Sequence, residues 1–179
     1  MVVVDKQFGK YAHPEVERKF LLATVPPDVT FRADIIDLYI PNTTFRLRRM
    51  QTKREVTLKF AQKLRVHPDD ARVILHTNFY ISEAEYALLA SALPSHRLEK
   101  RRHMLQSGAI PVAIDQFQGP LEGLVIAEID FGPNGDPASF AIPSFALAEV
   151  TDDERFTGAR LAATTHAQVK ALLDEFNVR

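Results

Sequence analysis

Short runs of residues that alternate in chemistry with a period of two recur along this chain, and they restrict its fold more than any other feature. Strand-like segments lie at 16–22, 35–40, 45–50, 55–60 and 73–80, and resume at 98–106, 110–117 and 124–131. They are rich in β-branched and aromatic residues, as pleated, half-buried segments are. Pro41-Asn42, Gln51-Thr52-Lys53 and the glycines at 119 and 123 supply turns between them. Ser82, with Glu85 three residues on, opens a helix with an apolar face that ends before Pro94. Val169, Leu172, Leu173 and Phe176 give residues 164–176 a helical apolar stripe, while a Pro- and Gly-rich loop fills 132–143. Strands outnumber helices and their connections are short. The pattern predicts an α+β fold built on an antiparallel sheet or barrel rather than a parallel βαβ sheet.

At 179 residues and 46% hydrophobic content, the chain can build one core, and no composition shift divides it. We read residues 1–179 as a single domain. Lys and Arg number 22 against 23 Asp and Glu, so a protein coated in positive charge for nucleic acid is not the default reading. The absence of cysteine excludes disulfides, thiol catalysis and Cys-ligated zinc. The apolar run Val2–Val4 is too short for a signal peptide or a membrane span, so a soluble cytoplasmic protein is expected. The histidines at 13, 67, 76, 96, 103 and 166 show no ligand spacing and read as surface or structural residues. No glycine-rich phosphate loop is present. A homodimer is compatible with the sequence, although no patch marks an interface.

The charges are segregated by strand. Glu15, Glu17 and Lys19 share one face of the first strand, opposite Val16, Arg18 and Phe20. Arg46 and Arg48 line one face of the third, Lys59 follows in the fourth, and Lys100 and Arg102 repeat the spacing later. Asp115 and the pair Glu128 and Asp130 occupy the last two strands. A lone Glu-x-Glu would be an ordinary solvated strand face. Recurrence with segregated signs is not what a surface built for solubility shows. If the sheet closes, Glu15, Glu17, Asp115, Glu128 and Asp130 converge and repel one another unless a hard divalent cation sits among them. Oxygen-only ligands favour Mg²⁺ or Mn²⁺. Lys19, Arg46, Arg48, Lys59, Lys100 and Arg102 would need an anion of matching charge, and a polyphosphate carrying its metal satisfies both clusters.

The residues also resemble a known family. Glu15-Val16-Glu17-Arg18-Lys19 is similar to the ExExK signature of the CYTH superfamily, the triphosphate tunnel metalloenzymes. Arg46-Leu47-Arg48, Thr57-Leu58-Lys59, Leu98-Glu99-Lys100-Arg101-Arg102, the stretch from Asp115 to Leu124 and Ala127-Glu128-Ile129-Asp130-Phe131 follow in order. Glu149-Val150-Thr151-Asp152-Asp153 looks like the family's lead into its last helices. The resemblance implies an eight-stranded antiparallel tunnel with flanking helices that binds a small triphosphate and a divalent metal. By match, the acids above become metal ligands or their water-borne surroundings, and the bases become phosphate binders. Lys100 and Tyr39 become the catalytic candidates, since bacterial triphosphatases carry a tyrosine near the reacting phosphate. On spacing alone Tyr39 is equally an ordinary strand aromatic.

The stretches at 119–123 and 149–151 place the chain nearer the triphosphatases than the class IV adenylate cyclases, which remain the alternative, as does a triphosphate binder without turnover. The chain also departs from the family pattern. Ile74 and His76 stand where many relatives carry acids in an Arg-x-Glu-x-Glu segment, Asp130 replaces a Glu, and Asp37 stands where Gln is common.

Overall fold

A computed structural model describes residues 10–67, 70–107, 110–132 and 135–178. The period-two segments form β1 (His13–Leu22), β2 (Thr30–Tyr39), β3 (Phe45–Gln51), β4 (Val56–His67), β5 (Asp70–Tyr80), β6 (His96–Ser107), β7 (Ile110–Phe117), β8 (Val125–Asp130) and β9 (Ala146–Glu149). Their helices are α1 (Glu83–Ala92), α2 (Gly158–Ala162) and α3 (His166–Glu175). Every pairing is antiparallel. The order β5-β4-β3-β2-β6-β7-β8-β1 closes on itself through β1 and β5, giving an eight-stranded barrel with β9 outside it on β1. The first half of β1 pairs with β5, from His13↔His76 to Val16↔Val73. Farther along the same strand, Phe20–Leu22 pair with β9.

Two apolar clusters hold the barrel. Phe20, Leu22, Val112, Ile114, Val125, Ala127 and Ile129 face outward from β1, β7 and β8, and Phe131, Phe140 and Phe145 fold over them. Arg18 secures that cover: it forks onto Glu149 (2.8 and 2.6 Å) and donates to the carbonyls of Pro137 and Phe140. The second cluster joins Leu21, Leu98, Phe117 and Ile126 of the strands to Phe156, Leu161, Val169, Leu172 and Leu173 of the C-terminal segment. Burying each such side chain contributes about 1.5–3 kcal/mol.

Several expectations change in detail. The strand expected at 55–60 runs on to His67 and the one expected at 35–40 begins at Thr30. Their added residues include charged side chains that line the barrel's interior, so they carry no apolar signal. β9 was not expected; its four residues add only to an edge. α1 has the full capping box, with Ser82 Oγ accepting from Glu85 N and Glu85 Oε2 accepting from Ser82 N, yet it buries none of its side chains. Its apolar residues do not form the core-facing stripe expected of them. α3 does, on Val169, Leu172 and Leu173, behind a capping box of Thr165 and Gln168. Among the described residues no helix is long and apolar enough to cross a membrane.

Candidate active site

Closing the barrel turns one face of every alternating strand inward. The result is a cavity of about 670 Å³ running among the charged residues. Its walls receive Glu15, Glu17 and Lys19 from β1, Arg46 and Arg48 from β3, and Lys63 and Arg65 from β4. Lys100 and Arg102 come from β6, with Glu128 and Asp130 from β8. Phe156, Thr157 and α2 close one end against Tyr39. A Cβ on Gly158 would lie 1.9 Å from the Tyr39 hydroxyl, so the glycine at the start of α2 is what admits that ring.

Most of the interior charge is already paired. Asp37 is fully buried and holds Arg48 in a two-pronged pair, 2.7 Å at each oxygen, with Arg46 3.7 Å away. Burial would raise its carboxyl, but the Arg48 and Arg46 charges win and hold it well below the usual range. Asp115 is likewise spent: Lys100 takes one oxygen, and Arg102 donates to both at 2.6 Å. Arg102 also reaches Glu128 at 2.5 Å. Burial of Glu128 is outweighed by Lys100, Arg102 and Lys19, which keep it ionised.

Two cations are held more loosely. Lys19 stands 3.9 Å from Glu17 and 3.8 Å from Glu128. Arg46 donates to the Tyr39 hydroxyl at 3.3 Å, while its Nε is buried without a partner. These have donors to spare for an anion. Lys59 is not placed to use its donors in the same way: its ammonium lies over the Tyr80 ring at 4.8 Å, outside the residues that line the cavity.

The acids expected to hold a metal divide in the same way. Asp115 has no oxygen to spare. Glu15 pairs with His76 through one oxygen and with Lys63, at 2.7 Å, through the other. Its carboxyl is pulled far down, because His76 and Lys63 outweigh its burial. Glu17 accepts from Lys63 at 3.2 Å through one oxygen and leaves Oε2 buried without a hydrogen-bond partner, 3.9 Å from Lys19. Asp130 accepts from Gly132 N, and its carboxyl is raised, first by burial and then by the charges of Glu17 and Glu15. That crowding, with the orphaned Glu17 oxygen, suits a hard cation. Among the described residues, however, no three acids or histidines gather closely enough to enclose one.

Residues that sequence reasoning passed over also line the cavity. Lys63 and Arg65 continue the period of Lys59 along β4, a signal hidden because the expected strand ends at residue 60. His76, expected to be a surface or structural histidine, is 8% exposed and faces the tunnel with Nε2 unpartnered.

No protein-family model matches the chain. The chain is 29% identical over 156 residues to the inorganic triphosphatase of Nitrosomonas europaea, covering 83% of this chain and 96% of that protein. The crystal structure of an inorganic triphosphatase superposes with a TM-score of 0.57 at 25% identity, over 84% of this chain and 95% of the other. A second crystal structure of that same protein, there described as hypothetical, gives 0.56 at 25% identity over 84% of this chain and 99% of the other. The likeness read from the charged motifs therefore extends along nearly the whole barrel.

Proposed function

We propose that this protein hydrolyses a phosphoanhydride bond of inorganic triphosphate, or of a small organic triphosphate, inside the barrel. The observation that carries this reading is the cavity of about 670 Å³ inside the barrel, in which cations from β1, β3, β4 and β6 face carboxylates from β1 and β8. A neutral ligand would leave the loosely held Lys19 and the unpartnered Arg46 Nε without an anionic acceptor in a poorly solvated site. The 29% identity to an inorganic triphosphatase supports the same choice.

Lys19 and Arg46 bind phosphate oxygens first, since they carry the spare donors. Arg48 and Arg102 hold the walls in register through Asp37 and Asp115 and add field. Lys100, buried beside Asp115, stabilises charge on the transferring phosphoryl group. Tyr39 holds Arg46 at the α2 end. A divalent cation, Mg²⁺ or Mn²⁺, would be held by Glu17, Glu128 and Asp130, with Glu15 and Asp115 behind them. When bound, it supplies charge neutralisation at the phosphate oxygens and lowers the pKa of a coordinated water.

The test is incubation of the purified protein with tripolyphosphate, thiamine triphosphate and ATP, each with Mg²⁺ or Mn²⁺. Orthophosphate release is expected. Cyclic AMP as the sole product, or binding without turnover, would reject hydrolysis in favour of a cyclase or a binder.

A further inference from the structure

Glu15 and Glu17 lie two residues apart on β1 and face the same cavity, where paired carboxylates repel unless a cation stands between them. That cation is part of the chain. Lys63 reaches in from β4 and places Nζ 2.7 Å from Glu15 Oε2 and 3.2 Å from Glu17 Oε1. The barrel register fixes it there. Lys63 is directly opposite His76 in the β4–β5 ladder, and Ile74, two residues away on β5, is directly opposite Glu15.

His76 completes the arrangement. Its Nδ1 pairs with the Glu15 oxygen that Lys63 leaves. An ionised carboxylate only accepts, so Nδ1 carries the proton. Glu15 thus has both oxygens engaged, and Ile74 adds no acid beside it. Glu15 Oε2 and Glu17 Oε2 both lack a hydrogen-bond partner, but Glu15 Oε2 has Lys63 Nζ 2.7 Å away, whereas Lys19 stands off from Glu17 Oε2 at 3.9 Å. Glu17, Glu128 and Asp130 do not enclose a cation as they stand, but they can offer oxygen ligands to one octahedral ion that keeps several of its waters. They do not provide a second set.

We propose that Lys63 is the resident cation of the Glu15–Glu17 pair and limits the tunnel to a single divalent ion. This rests on the reading of the tunnel as a divalent-cation site, and it assigns Lys63 a positioning role. Its ammonium bridges the two carboxylates and holds them in place before any metal arrives. It also presents fixed positive charge on the side of the cavity where a second ion would otherwise be required.

The experiment counts ions rather than turnover. Mn²⁺ is titrated into the wild type, Lys63→Met and Lys63→Arg, and free Mn²⁺ is followed by its paramagnetic resonance signal. The wild type and Lys63→Arg are expected to take one ion per chain, and Lys63→Met one more than the wild type. Two ions in the wild type overturn the proposal, and this holds even if Lys63→Met does not fold. An unchanged count in a folded Lys63→Met overturns it too. A wild type that takes none, with Lys63→Met taking one, overturns the metal reading of the tunnel but upholds Lys63 as the cation of the pair. Phosphate release from tripolyphosphate is measured separately, so failure of the hydrolase reading is distinguishable from failure of this one.

Discussion

The residue that decides how the basic wall behaves is Asp37, an acid on β2 among arginines. Two guanidinium groups in a poorly solvated wall are tolerable because this one carboxylate, itself without solvent exposure, answers both. Asp37→Ala leaves Arg48 and Arg46 buried and uncompensated, which ordinarily costs about 3–5 kcal/mol. Urea denaturation should show a loss of that size, and saturating tripolyphosphate should restore part of it by replacing the missing negative charge. The cations themselves separate by what already holds them. Arg46→Ala removes donors that face the cavity and should lower kcat/KM by about 10²–10³-fold, the range for loss of one charge-stabilising donor. Lys59→Ala, outside the cavity lining, should change it by less than about tenfold. Steady-state kinetics on tripolyphosphate settles the comparison, and equal losses would show that Lys59 swings in from Tyr80 when substrate binds.

Among the elements, β4 shows why the sequence was readable only in part. Its first half, Val56–Phe60, mixes apolar and polar residues and announces a strand. Its second half presents Gln62, Lys63 and Arg65, which a hydrophobicity pattern reads as loop. Inside a charged barrel the inward face is polar, so the usual signal inverts just where function resides. The ExExK strand escaped this problem because Val16 and Phe20 mark its outer face. β9 was illegible for a different reason: its place depends on Arg18 and Glu149, 131 residues apart in the chain. The contact between Tyr39 and Gly158 is equally non-local, and it carries a prediction. Gly158→Ala puts a Cβ into the Tyr39 hydroxyl and must move either α2 or the ring. Overpacking of this kind costs about 1–3 kcal/mol. Since Tyr39 supports Arg46, kcat should fall by up to about a hundredfold, as a displacement near 1 Å can cause. A variant with wild-type kcat would show that α2 yields without disturbing Arg46.

On the scale of the whole molecule, a net charge of −1 conceals an interior where acids and bases are packed against each other. Stability must then depend on pH in a sense set by the groups involved. His76 is held below the usual histidine range, chiefly by burial, so the unfolded chain takes up its proton first. Its contribution is present above about pH 6.5 and declines as pH falls toward the native value. Glu15, Asp37 and Glu128 are depressed despite burial, because Lys63, His76, Lys100 and the arginines outweigh it. Their contribution is complete above the unfolded range of about 4 and is lost as pH falls through their native values. Asp130 opposes them: its carboxyl is raised by burial and by Glu17 and Glu15, so protonating it relieves a cost. One such group does not offset three, and the urea midpoint should hold steady above pH 7, decline gently to pH 5 and fall steeply below pH 4. His76→Asn, which does not titrate, should remove the gentle decline and keep the steep one. A midpoint that rises on acidification would mean that the interior carboxylates repel one another more than the bases hold them, and that the acids of this barrel are not neutralised from within.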